Sequence, residues 1–130
     1  MPVIRFGSFP TDVGDPGVAA RRMVSAAVGA NTITCGVSVF EPGSGIFLHT
    51  HPCEEVVAIV AGEAVCELDG ERHTLRPFDL SFVPPGVPHR FVNESDAPFT
   101  MIYFYPTTEL SRDPVAPDEM PSQDNGSPGR

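Results

Sequence analysis

What most limits the fold of this chain is its punctuation. Fifteen prolines and twelve glycines interrupt 130 residues, and outside the two ends they fall between apolar stretches only a few residues long. Proline removes a backbone donor and breaks a helix interior, and glycine weakens one. No segment sustains a helical period. The stretches are short, several are rich in β-branched and aromatic residues, and they recur every 8–12 residues, the spacing of an all-β sandwich or barrel. Strands are expected over Ala20–Ala27, Thr32–Phe40, Gly45–His51, Glu55–Ala61, Ala64–Leu68, Glu71–Leu75, Leu80–Val83, His89–Val92 and Phe99–Tyr105. Asp69-Gly70 between two such runs is a tight-hairpin signal and Ala61-Gly62-Glu63 marks another reversal, so the middle of the chain is expected to be antiparallel.

The length suits one domain, and with 41% apolar residues a single core is expected. The longest unbroken apolar run, Val56 to Ala61, is far short of a membrane span. The N-terminus lacks a basic start followed by an apolar stretch, which makes a cytoplasmic location the expectation. Both ends differ from the middle. Thr11–Gly17 is rich in Gly, Pro and Asp, and the last twenty residues offer only Val115, Ala116 and Met120 as apolar members. Such a tail buries too little surface to offset its ordering entropy, so it is expected to be disordered or loosely docked. The division expected is an N-terminal arm over 1–17, a β-barrel over 18–108 and an acidic, Pro-rich flexible tail over 109–130.

Charge and composition remove several functions. Eight basic residues against seventeen acidic ones give a net charge of −9, which repels nucleic-acid backbones and anionic membrane surfaces. All the cations are Arg, and without a Lys there is no Schiff-base chemistry and no P-loop lysine. Three cysteines, Cys35, Cys53 and Cys66, are an odd number at unrelated spacings and are read as reduced thiols.

The reactive side chains are few. His49 and His51 lie two apart in an expected strand, so their rings project from one face, which Gly45 and Phe47 share. Glu55 opens the next strand, where a reversal can return its carboxylate to the pair. His89 begins a much later strand after the Pro84–Pro88 turn, and closing a barrel could unite the four. Imidazoles suit zinc, copper, iron and nickel, and three nitrogens with one oxygen leave two positions of an octahedron open for substrate or dioxygen. A lone strand histidine is more often simply hydrogen-bonded or solvent-facing, so the pair alone carries little weight.

The pattern extends beyond the pair. Gly43-Ser-Gly-Ile-Phe-Leu-His49-Thr-His51-Pro-Cys-Glu-Glu55-Val-Val-Ala-Ile-Val-Ala-Gly62 resembles the first signature of the cupin superfamily, G-x5-H-x-H-x3-4-E-x6-G, at every fixed position. Phe78-Asp-Leu-Ser-Phe-Val-Pro84-Pro-Gly86-Val-Pro-His89-Arg-Phe-Val-Asn93 resembles the second, G-x5-P-x-G-x2-H-x3-N, except that Phe78 stands where the family has Gly. With its flanking strands the resemblance covers roughly residues 18–106. It implies a single-domain all-β cupin barrel (a double-stranded β-helix or jelly roll) with one divalent metal ion in its wider mouth. Carried over by position, the metal ligands are His49, His51, Glu55 and His89. Pro84 and Gly86 shape the turn presenting His89, and Asn93 is structural. His73 matches no ligand position and reads as a surface residue. Glu54, offset by one from Glu55, should face the opposite side.

Secondary candidates follow from alternation. Met101, Tyr103 and Tyr105 share a face, so either phenol could donate a proton or orient substrate, or simply pack at the barrel rim. Arg22 is the better arginine for binding a substrate acid, because Arg90 should face away from its neighbour His89. Phe47, Phe82 and Phe91 are read as apolar wall, and Cys53 as an inert turn residue. Cupins with this ligand set include dioxygenases, decarboxylases, isomerases, lyases and polyketide cyclases. The leading expectation is a non-haem Fe(II) dioxygenase of a small oxygenated metabolite. The alternatives are Lewis-acid lyase, isomerase or cyclase chemistry with Zn2+, Mn2+ or Ni2+, and a non-catalytic small-molecule-binding barrel. The resemblance also suggests a homodimer, with the apolar stretch near Met23–Val28 compatible with its contact.

Overall fold

The computed structural model describes residues 2–12 and 14–116, and its regular structure is almost entirely strand. The strands are β1 (Val18–Val24), β2 (Thr34–Phe40), β3 (His49–Thr50), β4 (Glu55–Ala61), β5 (Ala64–Leu68), β6 (Glu71–Leu75), β7 (Leu80–Val83), β8 (His89–Val92), β9 (Phe99–Tyr105) and β10 (Asp113–Pro114). They form two five-stranded antiparallel sheets, ordered β1-β2-β9-β4-β7 and β10-β3-β8-β5-β6. From β2 onward the chain changes sheet at every connection except the β5–β6 hairpin. This winding makes His49 and His89, far apart in sequence, direct register partners.

Strands β4 to β9 have the expected bounds, because each ends at a turn residue that forces reversal. At the β5–β6 hairpin Asp69 and Gly70 both take positive φ, 49° and 86°, as the primed turn that matches strand twist demands. Three expected strands differ in extent, the smallest difference being in the one over Thr32–Phe40, which begins at Thr34. The strand expected over Ala20–Ala27 runs from Val18 to Val24, because the Ser25 side chain accepts from Ala27 N and a short 3-10 turn follows, closed by left-handed Gly29. The strand expected over Gly45–His51 shrinks to His49–Thr50, with an isolated bridge from Gly45 to Val92. The tail expected from 109 supplies β10, which pairs Asp113 with Thr50 and Pro114 with His49, and Val115 N donates to Leu48 O at 2.9 Å. Main-chain pairing, which an apolar count does not register, docks these residues; the rest of the tail, 117–130, lies outside the described residues.

Alternation sorts the interior into two ends. Inward positions at one end are Phe40, Ile59, Phe91 and Phe99, with Phe40 and Phe99 directly opposed and their rings stacked at 4.4 Å. The inward positions at the other end of the same strands are Thr34, Glu55, His89 and Tyr105. Burying the apolar cluster gives the sandwich its stability, at roughly 1.5–3 kcal/mol per large side chain. That is what lets the opposite end stay polar. Asn93, wholly buried, closes the apolar end: its amide donates to Phe40 O (2.9 Å) and Ala97 O (2.8 Å) and accepts from Ser95.

The departure at Phe78 has a physical signature. This residue adopts φ 76°, in the region that favours glycine, while its ring is 86% exposed. The β-carbon is strained and the ring gains little from burial. Phe78→Gly is therefore expected to leave stability unchanged or raise it by about 1 kcal/mol, relief of the left-handed strain outweighing the chain entropy of glycine. Urea unfolding would show this as a midpoint at or above that of the parent, and a loss above about 1 kcal/mol would show that the ring, not the backbone, matters there.

Candidate metal centre

The site is built from four side chains that the two sheets bring to the polar end. His49 leaves β3, His89 opens β8, His51 follows β3 and Glu55 opens β4. All four are nearly buried, none more than 4% exposed. The rings of His49 and His89 lie 4.3 Å apart, those of His51 and His89 4.6 Å, and those of His49 and His51 5.6 Å. One nitrogen of each of the three rings lies within 4.8 Å of those of the others. Gly86, at φ 78°, turns the Pro84–Pro88 loop, and its N–H donates to His51 O at 2.9 Å, so the loop that presents His89 is pinned to a neighbouring histidine.

Hydrogen bonding decides how the rings face. Nδ1 of His49 meets Phe47 O at 2.8 Å, Nδ1 of His51 meets Cys53 O at 3.1 Å, and Nδ1 of His89 meets Val87 O at 2.8 Å. A carbonyl can only accept, so each Nδ1 donates, and on a neutral ring Nε2 is left as a bare lone pair. Those of His51 and His89 face Glu55 Oε1 at 3.3 and 3.1 Å. A lone pair set against a buried carboxylate calls for a positive centre between them, a proton on Nε2 or a metal ion. Protonating both rings would bury two imidazoliums, whereas one divalent ion answers every donor. The donor set fits such an ion, and the three-histidine site can bind a divalent metal.

The electrostatics agree. Burial first, then the charge of His89, lowers the pKa of His49 to about 4, so that ring is neutral at pH 7. Burial opposes charge on His51 too, but the hydrogen bond and charge of Glu55 prevail and raise its pKa. Glu55 is opposed by burial, yet hydrogen bonds from His51 and His89 draw it down to about 2, so it is a carboxylate. Tyr105 also hydrogen-bonds Glu55, and burial followed by that carboxylate pushes its phenol up. Burial does the same to the thiols of Cys35 and Cys53 and takes Cys66 to about 12, which leaves all three as weak nucleophiles.

The cluster opens on a cavity of about 450 Å³ whose lining includes His49, Glu55, His89, Tyr103 and Tyr105. Phe47, Phe91 and Arg22 also line it, so both phenols and all three expected substrate contacts border one space. Tyr103 lies across Gly36, its register partner, where any β-carbon would collide with the phenol, and it hydrogen-bonds Arg22. One wall assignment is corrected: Phe82 alternates with inward Ser81 and Val83 and lies 52% exposed on the outside of the sheet. Arg90 faces away from the cluster, as expected, and grips buried Glu67 at 2.8 and 3.1 Å. Glu54 and His73 are exposed. The residues missed from sequence are Asp15 and Arg112, which line the cavity from the two ends of the domain. The acidity and proline content of those ends hid them, and no local signal marks either.

These features define a protein class. A family model of the cupin domain matches residues 36–105, and the chain belongs to the cupin superfamily. The chain is 30% identical to Protein SchB of Streptomyces halstedii over 102 residues, covering 78% of this chain and 74% of that protein. It is 34% identical over 82 residues to Polyketide synthase CurC of Streptomyces cyaneus, covering 62% of this chain and 53% of CurC, so it spans about half of that relative. Among solved structures, the polyketide cyclase RemF from Streptomyces resistomycificus superposes with a TM-score of 0.80 over 92% of this chain and 89% of its own, at 18% identity, a likeness of fold.

Loss of one imidazole should cost metal before it costs the fold. His51→Ala and His89→Ala are expected to bind Zn2+ or Fe2+ about tenfold to a hundredfold more weakly while keeping the parent's circular dichroism. Because metal must displace a proton from His51, whose pKa is raised, affinity should already begin to fall above the ordinary histidine pKa of about 6.5 as the pH is lowered. Metal analysis after equilibrium dialysis reads both, and parental affinity in either variant would remove that ring from the site.

Proposed function

We propose that this cupin is a metal-dependent cyclase that closes a ring in a polyketide-type substrate, a small molecule bearing carbonyls and enolisable carbons. The observation that carries the reading is that His49, His89 and Glu55, with His51 packed against His89, border one cavity together with Phe40, Phe47, Phe91, Met101 and both phenols. Such walls offer apolar surface to a flat carbon skeleton, while Arg22, Ser38 and Arg112 elsewhere in the lining can meet its oxygens. The likeness to CurC, whose name is that of a polyketide synthase, supports a polyketide-type substrate.

In this reading His49, His51, Glu55 and His89 hold one divalent ion. Such an ion, when bound, supplies Lewis acidity toward a carbonyl or enolate oxygen. The protein's own groups supply orientation and proton movement. Tyr103, seated on Gly36 and held by Arg22, presents a phenol to the cavity and passes a proton to or from the substrate oxygen. Tyr105, hydrogen-bonded to Glu55, gives that carboxylate a third contact beside those of His51 and His89. Phe47 and Phe91 fold the skeleton against the cluster and exclude water. Ring closure of this kind moves a proton from carbon to oxygen as the carbon–carbon bond forms. No electrons are gained or lost overall, so no dioxygen is consumed.

The outward face of the β1-containing sheet bears on assembly. Val60, Leu80, Phe82 and Phe104 all lie on it and are 36–63% exposed, beside half-buried Val56 and Ile102. An apolar face of this kind is the place where we put a homodimer contact, farther along the sheet than the Met23–Val28 stretch. Light scattering on the full chain should give twice the chain mass, and Leu80→Asp the single chain mass.

The decisive assay for the reaction follows product and dioxygen together with metal-loaded protein and a linear poly-β-ketone. Cyclised product without oxygen uptake, abolished in His51→Ala, is the expected result. Oxygen uptake in step with turnover and dependent on Fe2+ would instead establish a dioxygenase. Binding without turnover would establish a non-catalytic barrel.

A further inference from the structure

The strands β1 and β10 are the edges of their sheets, and the segments that precede them meet at the cavity. Arg112 and Asp15 make that meeting, with Arg112 Nη1 3.4 Å from Asp15 Oδ2. The contact is long. Arg72 reaches Glu94 at 2.6 Å and Glu67 at 2.8 Å, and Arg90 reaches Glu67 at 2.8 Å. At 3.4 Å and 39% side-chain exposure, the Arg112–Asp15 pair is near the limit of a hydrogen bond and contributes little. The guanidinium is held chiefly by Phe47, over whose ring it stands at 4.4 Å. The same ring meets His49 edge-on at 5.6 Å, so Phe47 links Arg112 to the imidazole cluster.

Charge makes the placement informative. A chain of net charge −9 repels acids from its surface, yet two of its eight arginines, Arg22 and Arg112, line this cavity beside Asp12, Asp15 and Glu55. Arg22 is engaged with Tyr103, whereas Arg112 offers a planar fork loosely held by one aspartate. We propose that Arg112 determines specificity: it selects a planar aromatic substrate bearing a carboxylate remote from the reacting end, and that carboxylate displaces Asp15 from the guanidinium. The ring of the substrate lies along Phe47 and the apolar walls, with its other oxygens toward the histidines. The proposal deepens the cyclase reading and rests on the cavity being the substrate site.

The test measures binding of two probes by calorimetry to the full chain, metal-free and zinc-loaded. One probe is a hydroxynaphthoate with hydroxyl and carboxylate on opposite rings, and the other is naphthol, its carboxylate-free parent. Parent protein should prefer the acid by about tenfold, as a charge-assisted bidentate pair would give. Arg112→Gln should reduce that preference below about twofold while leaving naphthol binding in place, and Asp15→Asn should tighten acid binding about threefold by removing the competitor. Arg76→Gln, which removes an equal charge from an exposed pair with Glu63, should leave the preference intact. Absence of an acid preference in the parent, or its survival in Arg112→Gln with Asp15→Asn unchanged, overturns the proposal. Since the preference is also read without metal, failure of the cyclase reading alone leaves it standing.

Discussion

Three backbone carbonyls, of Phe47, Cys53 and Val87, each take the Nδ1 proton of a histidine two residues away, and this short-range bond aims the opposite nitrogen into the barrel. Without it an imidazole is free to rotate about its two side-chain torsions and to exchange tautomers. With it, one nitrogen of each ring converges with the others, and those of His51 and His89 meet the buried Glu55 carboxylate. The arrangement is unfavourable when empty of positive charge, and that cost is the physical reason to assign it to a cation. A cluster serving the fold alone would pair each donor with an acceptor, as Asn93 does at the opposite end.

That opposite end makes the arrangement sustainable. The stacked Phe40 and Phe99 rings, with Ile59 and Phe91 around them, bury the apolar surface that offsets the ordering of the chain. The same strands therefore serve two purposes along their length: β4 carries Glu55 at its start and Ile59 further along, and β9 runs from Phe99 to Tyr105, one end reactive and the other structural. Stability and chemistry are separated by about two strand repeats, so a substitution at the histidines reaches the metal centre without emptying the core.

Much of this was legible because it is local. Asp69-Gly70 dictated a hairpin, and period-two alternation put both tyrosines on one face of their strand; His49 and His51 were readable as neighbours from their spacing alone. The gathering of His89 with them came from resemblance to a family pattern, since no local rule brings residues that distant together. What escaped was whatever depended on main-chain pairing or on long-range side-chain contact. Residues 113–115 look too polar to order, yet β10 docks them through hydrogen bonds to β3 that any residue with a backbone can make. Arg112 and Asp15, at opposite ends of the domain, carry no motif and acquire meaning only where the sheet edges meet. Phe82 shows the converse, an aromatic assumed to be wall whose strand parity turns it outward.

The central claim is that an ion belongs between these four side chains, and the measurement closest to it is X-ray absorption at the metal edge of protein purified without added ions and then titrated with Zn2+ or Fe2+. The account predicts one tightly bound ion per chain, with a spectrum showing multiple scattering from three imidazoles and nitrogen or oxygen neighbours at about 2.0–2.2 Å. A spectrum of aquated or sulfur-bound metal, or binding that survives simultaneous loss of His49, His51 and His89, would contradict it.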